Sequence, residues 1–78
     1  MNSKSIGATV RARRTEIGLG TIDLAKKVGI SDAQISRLEN GLQGFRSGTL
    51  RRLAKALKVP AFRLFMTEGE WSRWQKRA

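Results

Sequence analysis

The side chains able to do chemistry in this 78-residue chain are sixteen Lys and Arg and six Asp and Glu, with neither Cys nor His among them. Without Cys there is no disulfide, thiolate nucleophile or zinc-thiolate site, and without His there is no imidazole base or soft metal ligand. Six scattered carboxylates offer no paired acid and base, so the expectation is a protein that is not an enzyme and uses no cofactor and no metal. What remains is charge. A formal net charge of +10 on so short a chain favours polyanions, namely DNA, RNA or an anionic membrane surface.

Those charges have to be displayed by a small fold. A single domain of this size buries only about 60% of its extended surface, and here neither disulfide nor metal supports the core. No stretch approaches the ~18 apolar residues of a membrane span, and Met1-Asn2-Ser3-Lys4-Ser5 leads into no apolar signal-like run, so a cytoplasmic location is expected. A membrane-surface role needs a wide apolar face left exposed, whereas the apolar stripes here are needed for the core, so no membrane partner is expected.

Apolar residues recur at three- and four-residue spacing throughout, which predicts an all-α chain. A first helix is expected over residues 5–17, with Ile6, Val10 and Ile17 on one face and Gly18 ending it. A second fits residues 21–28, with Leu24, Ala25 and Val28 inward, Gly20 as a weak N-cap and Gly29 at its end. Ser31 and Gln34 make a Ser-x-x-Gln capping box that starts a third helix over residues 32–39, with Ile35 and Leu38 inward and Asn40-Gly41 ending it. Two short helices joined by so tight a Gly-containing turn cross steeply, which is the helix-turn-helix arrangement, although an ordinary corner between two helices has the same spacing. Ser47 is expected to cap a fourth helix that turns Leu50, Leu53, Ala54 and Leu57 inward and Arg51, Arg52, Lys55 and Lys58 outward. Pro60 is read as the first residue of a fifth helix ending at Phe65 or Met66. Thr67-x-x-Glu70 then caps a terminal helix with Arg73, Lys76 and Arg77 at its tail. This divides the chain into a domain over residues 1–66 and a helical tail over residues 67–78.

The run Gly18-Leu19, Asp23-Leu24-Ala25-Lys26-Lys27-Val28-Gly29-Ile30-Ser31, Ile35-Ser36-Arg37-Leu38-Glu39-Asn40-Gly41, then Thr49-Leu50 and Leu53-Ala54-Lys55-Ala56-Leu57, resembles the Cro/CI/Xre family of bacterial and phage helix-turn-helix repressors over roughly residues 6–66. The resemblance implies a five-helix, lambda-repressor-like DNA-binding domain, here with a short additional C-terminal helix. Its third helix would lie in the major groove, and the protein would act as a dimer on a two-fold operator. By the same resemblance the first, second and sixth positions of the third helix read base edges, and these are Asp32, Ala33 and Arg37; Gln34 and Ser36 share the exposed surface. Arg37 can fork onto guanine O6 and N7, Asp32 can accept from cytosine N4, and the Ala33 methyl can meet a thymine methyl. Asp32 can equally serve the helix dipole, and Gln34 can equally stay in its capping box.

For the DNA backbone, Thr21 stands where the family usually has a phosphate-binding glutamine, so a shorter hydroxyl and the helix amides take its place. Asn40 matches a phosphate-contacting asparagine and is also a plausible helix C-cap. Ser31, Arg46, Arg51 and Arg52 complete the expected backbone ligands. The resemblance also implies that Arg14 and Glu39 form a partly buried ion pair between the first and third helices.

Phe62, Phe65, Trp71 and Trp74 are four of the five aromatics and all follow residue 60. Either they enlarge the core of their own domain or they build a homodimer interface, and the dimer is the expectation. The leading reading is thus a dimeric, sequence-specific repressor of phage or bacterial type acting on double-stranded DNA in the cytoplasm, at the nucleoid. A chain this short is expected to hold neither ligand nor self-cleavage domain, leaving room for a regulatory protein partner. An antitoxin that represses its own operon, or a small basic RNA-binding protein, are the alternatives.

Overall fold

The computed structural model describes residues 3–77 and is helical throughout: α1 (Ser3–Glu16), α2 (Thr21–Val28), α3 (Asp32–Glu39), α4 (Ser47–Leu57), a 3-10 helix (Ala61–Phe65) and α5 (Glu68–Arg77). Each of the first four elements turns one apolar stripe to a common core. Ile6 and Val10 come from α1, Leu24, Ala25 and Val28 from α2, Ile35 and Leu38 from α3, and Leu50, Leu53, Ala54 and Leu57 from α4. Leu64 of the 3-10 helix closes the core from below with no exposed surface. Ile17, Leu19, Ile30, Phe45, Ala56 and Val59 pack around its rim.

Local chemistry sets the helix ends. Gly29 adopts the left-handed conformation (φ 83°) that a side chain resists, which lets its own N–H and that of Ile30 both donate to the Ala25 carbonyl. One residue later Ser31 Oγ accepts from the Gln34 N–H at 3.1 Å while Gln34 Oε1 accepts from the Ser31 N–H at 3.3 Å, so both sides of the capping box are made. The turn between α2 and α3 is therefore fixed at both ends. Thr67 and Glu70 build the equivalent box at the start of α5, with bonds of 2.9 and 3.1 Å.

The structure corrects the expected elements at three places. The fifth helix is 3-10 rather than α, and Pro60 stands outside it as the extended N-cap residue (ψ 147°); the Arg63 and Met66 N–H groups donate to the carbonyls three residues back, those of Pro60 and Arg63. A segment of only five residues suits the tighter winding, which turns Arg63 and Leu64 inward together. Ser47 is the first residue of α4 rather than its cap, a position taken by Arg46 through its backbone alone. Lys58 does not extend the outer face of α4; it terminates that helix in the left-handed conformation (φ 58°).

The first and third helices meet closely because residue 7 is glycine. A Cβ there would stand 2.3 Å from the Leu38 carbonyl oxygen and 2.7 Å from that of Glu39. Arg13 fastens another corner, its Nε donating to the Leu57 carbonyl at the end of α4 at 2.9 Å while Nη1 pairs with Glu16.

Candidate nucleic-acid interface

α3 turns one face to the core and the other to solvent. Its inner face carries Ile35 and Leu38 into the core, and helical periodicity then leaves Asp32, Ala33, Ser36 and Arg37 exposed on one continuous surface. Gln34 is half-buried and turned back onto Ser31, which commits its carbonyl oxygen to the capping box. Asp32 lies in the first turn, where its charge also favours the helix dipole. Ser36 and Asn40 are joined at the far end of the helix: the Asn40 N–H and Nδ2 both donate to the Ser36 carbonyl, at 3.1 and 2.8 Å.

Arg37 points from this surface and is not loose. Its Nε donates to Gln43 Oε1 at 2.9 Å, a partner six residues on that no sequence periodicity indicates. Thr21 is half-buried at the first position of α2, and Ser31 is exposed beside the start of α3. Arg46, Arg51 and Arg52 are exposed at and after the start of α4. A cavity of about 330 Å3 between α3, the loop after it and α4 is lined by Gln34, Gln43, Arg46, Thr49 and Arg52 among others.

Beneath the exposed surface sits a rigid support. Arg14 Nε and Nη2 donate to Glu39 Oε2 and Oε1 at 2.6 and 3.0 Å, a side-on fork, and Nη1 donates to the Leu19 carbonyl at 2.9 Å. The Glu39 side chain keeps 5% of its surface and that of Arg14 14%, so the pair is largely shielded from water. The hydrogen bond to Glu39 raises the guanidinium further above its already high ordinary pKa, against the opposing effect of burial. Arg14 thereby ties α1, the loop before α2 and α3 into one unit. No buried side-chain nitrogen or oxygen among the described residues lacks a partner.

The aromatic tail lies away from α3, on the 3-10 helix. Trp71 and Trp74 stack at 5.3 Å and 9°, Phe62 meets the edge of Trp74 at 5.1 Å, and the buried Arg63 lies over Trp71 at 5.0 Å. The tail thus packs on its own domain, yet Phe62, Phe65 and Trp74 keep 43%, 46% and 40% of their surface exposed. No helix among the described residues is long and apolar enough to cross a membrane. Nor do His, Cys, Asp or Glu residues among them group as metal ligands.

An all-helical bundle whose second and third helices are joined by a capped, glycine-centred turn, with the outer face of the third left open, is a lambda-repressor-like DNA-binding fold. The chain belongs to the helix-turn-helix domain family, whose model matches residues 5–64, and the domain is not an enzyme. It is 45% identical over 58 residues to the HTH-type transcriptional repressor RghR of Bacillus subtilis, a match covering 73% of this chain and 43% of RghR. It therefore spans less than half of that relative. Among solved structures it superposes on the restriction-modification controller protein C.AhdI of Aeromonas hydrophila with a TM-score of 0.78, at 27% identity over 81% of this chain and 96% of the other. The P22 c2 repressor, solved in complex with a synthetic operator, superposes with a TM-score of 0.72 at 32% identity, over 76% of this chain and 89% of the other.

Proposed function

We propose that this chain is a sequence-specific DNA-binding transcriptional regulator, most simply a repressor of phage or bacterial origin, that acts in the cytoplasm on the nucleoid. The observation carrying this reading is the exposed face of α3, where Asp32, Ala33, Ser36 and Arg37 stand together on a helix whose start, end and underside are all fixed. A helix held this way loses little entropy on entering the major groove. Arg37 reads a guanine, Asp32 a cytosine amine and Ala33 a thymine methyl, with Ser36 adding a hydroxyl; Gln34 contributes through its amide nitrogen only while its capping box persists.

Phosphates on either side are held by Thr21, Ser31, Asn40, Arg46, Arg51 and Arg52. Ser31 Oγ accepts within the capping box, and its hydroxyl proton remains to donate. Asn40 spends one amide hydrogen on the Ser36 carbonyl and keeps the other. The repressor named RghR and the operator-bound P22 c2 repressor support the DNA-binding regulator reading as a whole.

The same reading makes the protein a homodimer on a palindromic operator, with Phe62 and Phe65 and the Trp71–Trp74 stack as its contact surface. Exposed aromatics contiguous with an ordered stack support that role. Selection from random duplexes followed by footprinting tests the function. Recovery of one two-fold sequence, protected at nanomolar protein, is expected. Equal binding to all duplexes, with tighter binding to structured RNA, would overturn it in favour of the RNA-binding reading.

A further inference from the structure

We infer that Gln43 is a specificity-determining positioning residue that couples base reading by Arg37 to phosphate binding in the cavity between α3 and α4. This rests on Arg37 being a base-reading residue. Gln43 is half-buried in the loop after α3, outside the exposed face of that helix and between the runs of residues that carry the helix-turn-helix resemblance. Its Oε1 accepts from Arg37 Nε at 2.9 Å.

The geometry of the guanidinium gives this bond its meaning. Arginine has two edges that can fork onto a base, the side-on edge through Nε and the end-on edge through Nη1 and Nη2. Occupying Nε removes the side-on edge and leaves the end-on pair for guanine O6 and N7. A long, rotamer-rich side chain is also held near one direction before DNA arrives. Gln43 therefore selects both which edge of Arg37 reads and where that edge points.

The other end of the same amide faces a different task. With Oε1 turned to Arg37, both hydrogens of Nε2 remain, and that nitrogen donates to no protein atom among the described residues. Gln43 also lines the cavity of about 330 Å3 that Arg46 and Arg52 line with it. Two cations and an amide donor around one concavity suit a backbone phosphate. Seating that phosphate would brace Gln43 against Arg37, so the backbone contact would sharpen the base contact.

The test uses the full chain and the duplex recovered by selection, together with duplexes changed at the base pair that Arg37→Ala relaxes. Gln43→Ala is expected to reduce discrimination at that one base pair by about 2- to 12-fold, the range for losing one preordered side chain, with the thermal midpoint unchanged. In an Arg37→Ala background the same substitution should leave discrimination unaltered. Gln43→Glu retains an acceptor for Arg37 but places a negative charge in the cavity, so it should keep discrimination while weakening every duplex. A neutral amide releases no counterion, so Gln43→Ala should not change the slope of affinity with salt.

The proposal is overturned if Gln43→Ala weakens all duplexes equally, if its effect on discrimination persists without Arg37, or if Gln43→Glu loses discrimination as fully as alanine does. If the protein discriminates among duplexes and Arg37→Ala changes nothing, the coupling fails while DNA recognition stands. If no duplex is preferred at all, the functional reading fails with it.

Discussion

Removing the carboxylate of Glu39 should cost this domain a large part of its stability. Glu39→Gln keeps the shape and one hydrogen-bond acceptor but leaves the Arg14 guanidinium charged beneath α3, with only 14% of its side chain reaching water. Breaking one side of a buried pair costs about 3 to 5 kcal/mol, because the surviving charge is left without compensation. A 78-residue domain is stable by only roughly 4 to 12 kcal/mol, scaling at about 0.05 to 0.15 kcal/mol per residue. At about 4 to 8 °C per kcal/mol for a domain of this size, the thermal midpoint should fall by at least ~12 °C. Equilibrium urea unfolding, followed by far-ultraviolet circular dichroism, measures the difference. The bond to Glu39 raises the Arg14 pKa, so the stabilisation it records is fully present below the ordinary guanidinium range and is lost only as pH rises above it. The loss should therefore be the same at pH 6 and pH 8. A double substitution, Arg14→Met with Glu39→Leu, should recover most of it, since well-packed apolar replacements of a buried pair are often neutral. The remaining deficit should be about 1 kcal/mol for the Leu19 carbonyl that loses Arg14 Nη1. A Glu39→Gln cost below about 1 kcal/mol, the range of exposed pairs, would refute the reasoning.

Gly7→Ala should destabilise the domain by a net of about 2 kcal/mol, because overpacking against the Leu38 and Glu39 carbonyls outweighs the ~1 kcal/mol gain in helix propensity. Gly69→Ala, where an added Cβ meets nothing within 4 Å, should stabilise the start of α5 in the same unfolding assay. Lys58→Gly should raise stability by about 1 kcal/mol, by relieving the left-handed conformation at the end of α4. Hydrogen bonding to Thr67 lowers the Glu70 pKa, so its contribution to the α5 cap is present above the ordinary glutamate range and is lost as pH falls through the lowered value. Emission from Trp71 and Trp74, both on α5, should accordingly shift towards that of exposed indole in acid before the helical signal of the domain changes, and a coincident transition would contradict this.

Much of the α2–turn–α3 unit is legible because its determinants are local. The Ser31–Gln34 box and the glycine after Val28 act on backbone groups within four residues, so spacing alone reveals them. The same holds for the inward stripes of α2 and α4, which helical period dictates. What the chain conceals is contact between distant residues. Nothing near Gly7 announces that it passes under the carbonyls of residues 38 and 39, and Arg13 finds the Leu57 carbonyl 44 residues away. The Pro60 segment misleads for another reason. Proline at a helix start is compatible with both α and 3-10 winding, and the buried Arg63 lies over the Trp71 ring of a different element, a contact no local pattern announces. Gln43 lies in a loop without period, and only its position beside Arg37 gives it a role.

The most direct test of the central claim, that α3 reads sequence while the arginines of α4 grip the backbone, is a paired measurement on the selected duplex and its single-base variants over a range of salt. Arg37→Ala should cost ~1 to 3 kcal/mol on the selected duplex and relax preference at a single base pair, whereas Arg51→Ala should weaken every duplex alike and reduce the salt slope by about one charge. Equal, sequence-independent weakening by both substitutions would contradict the account.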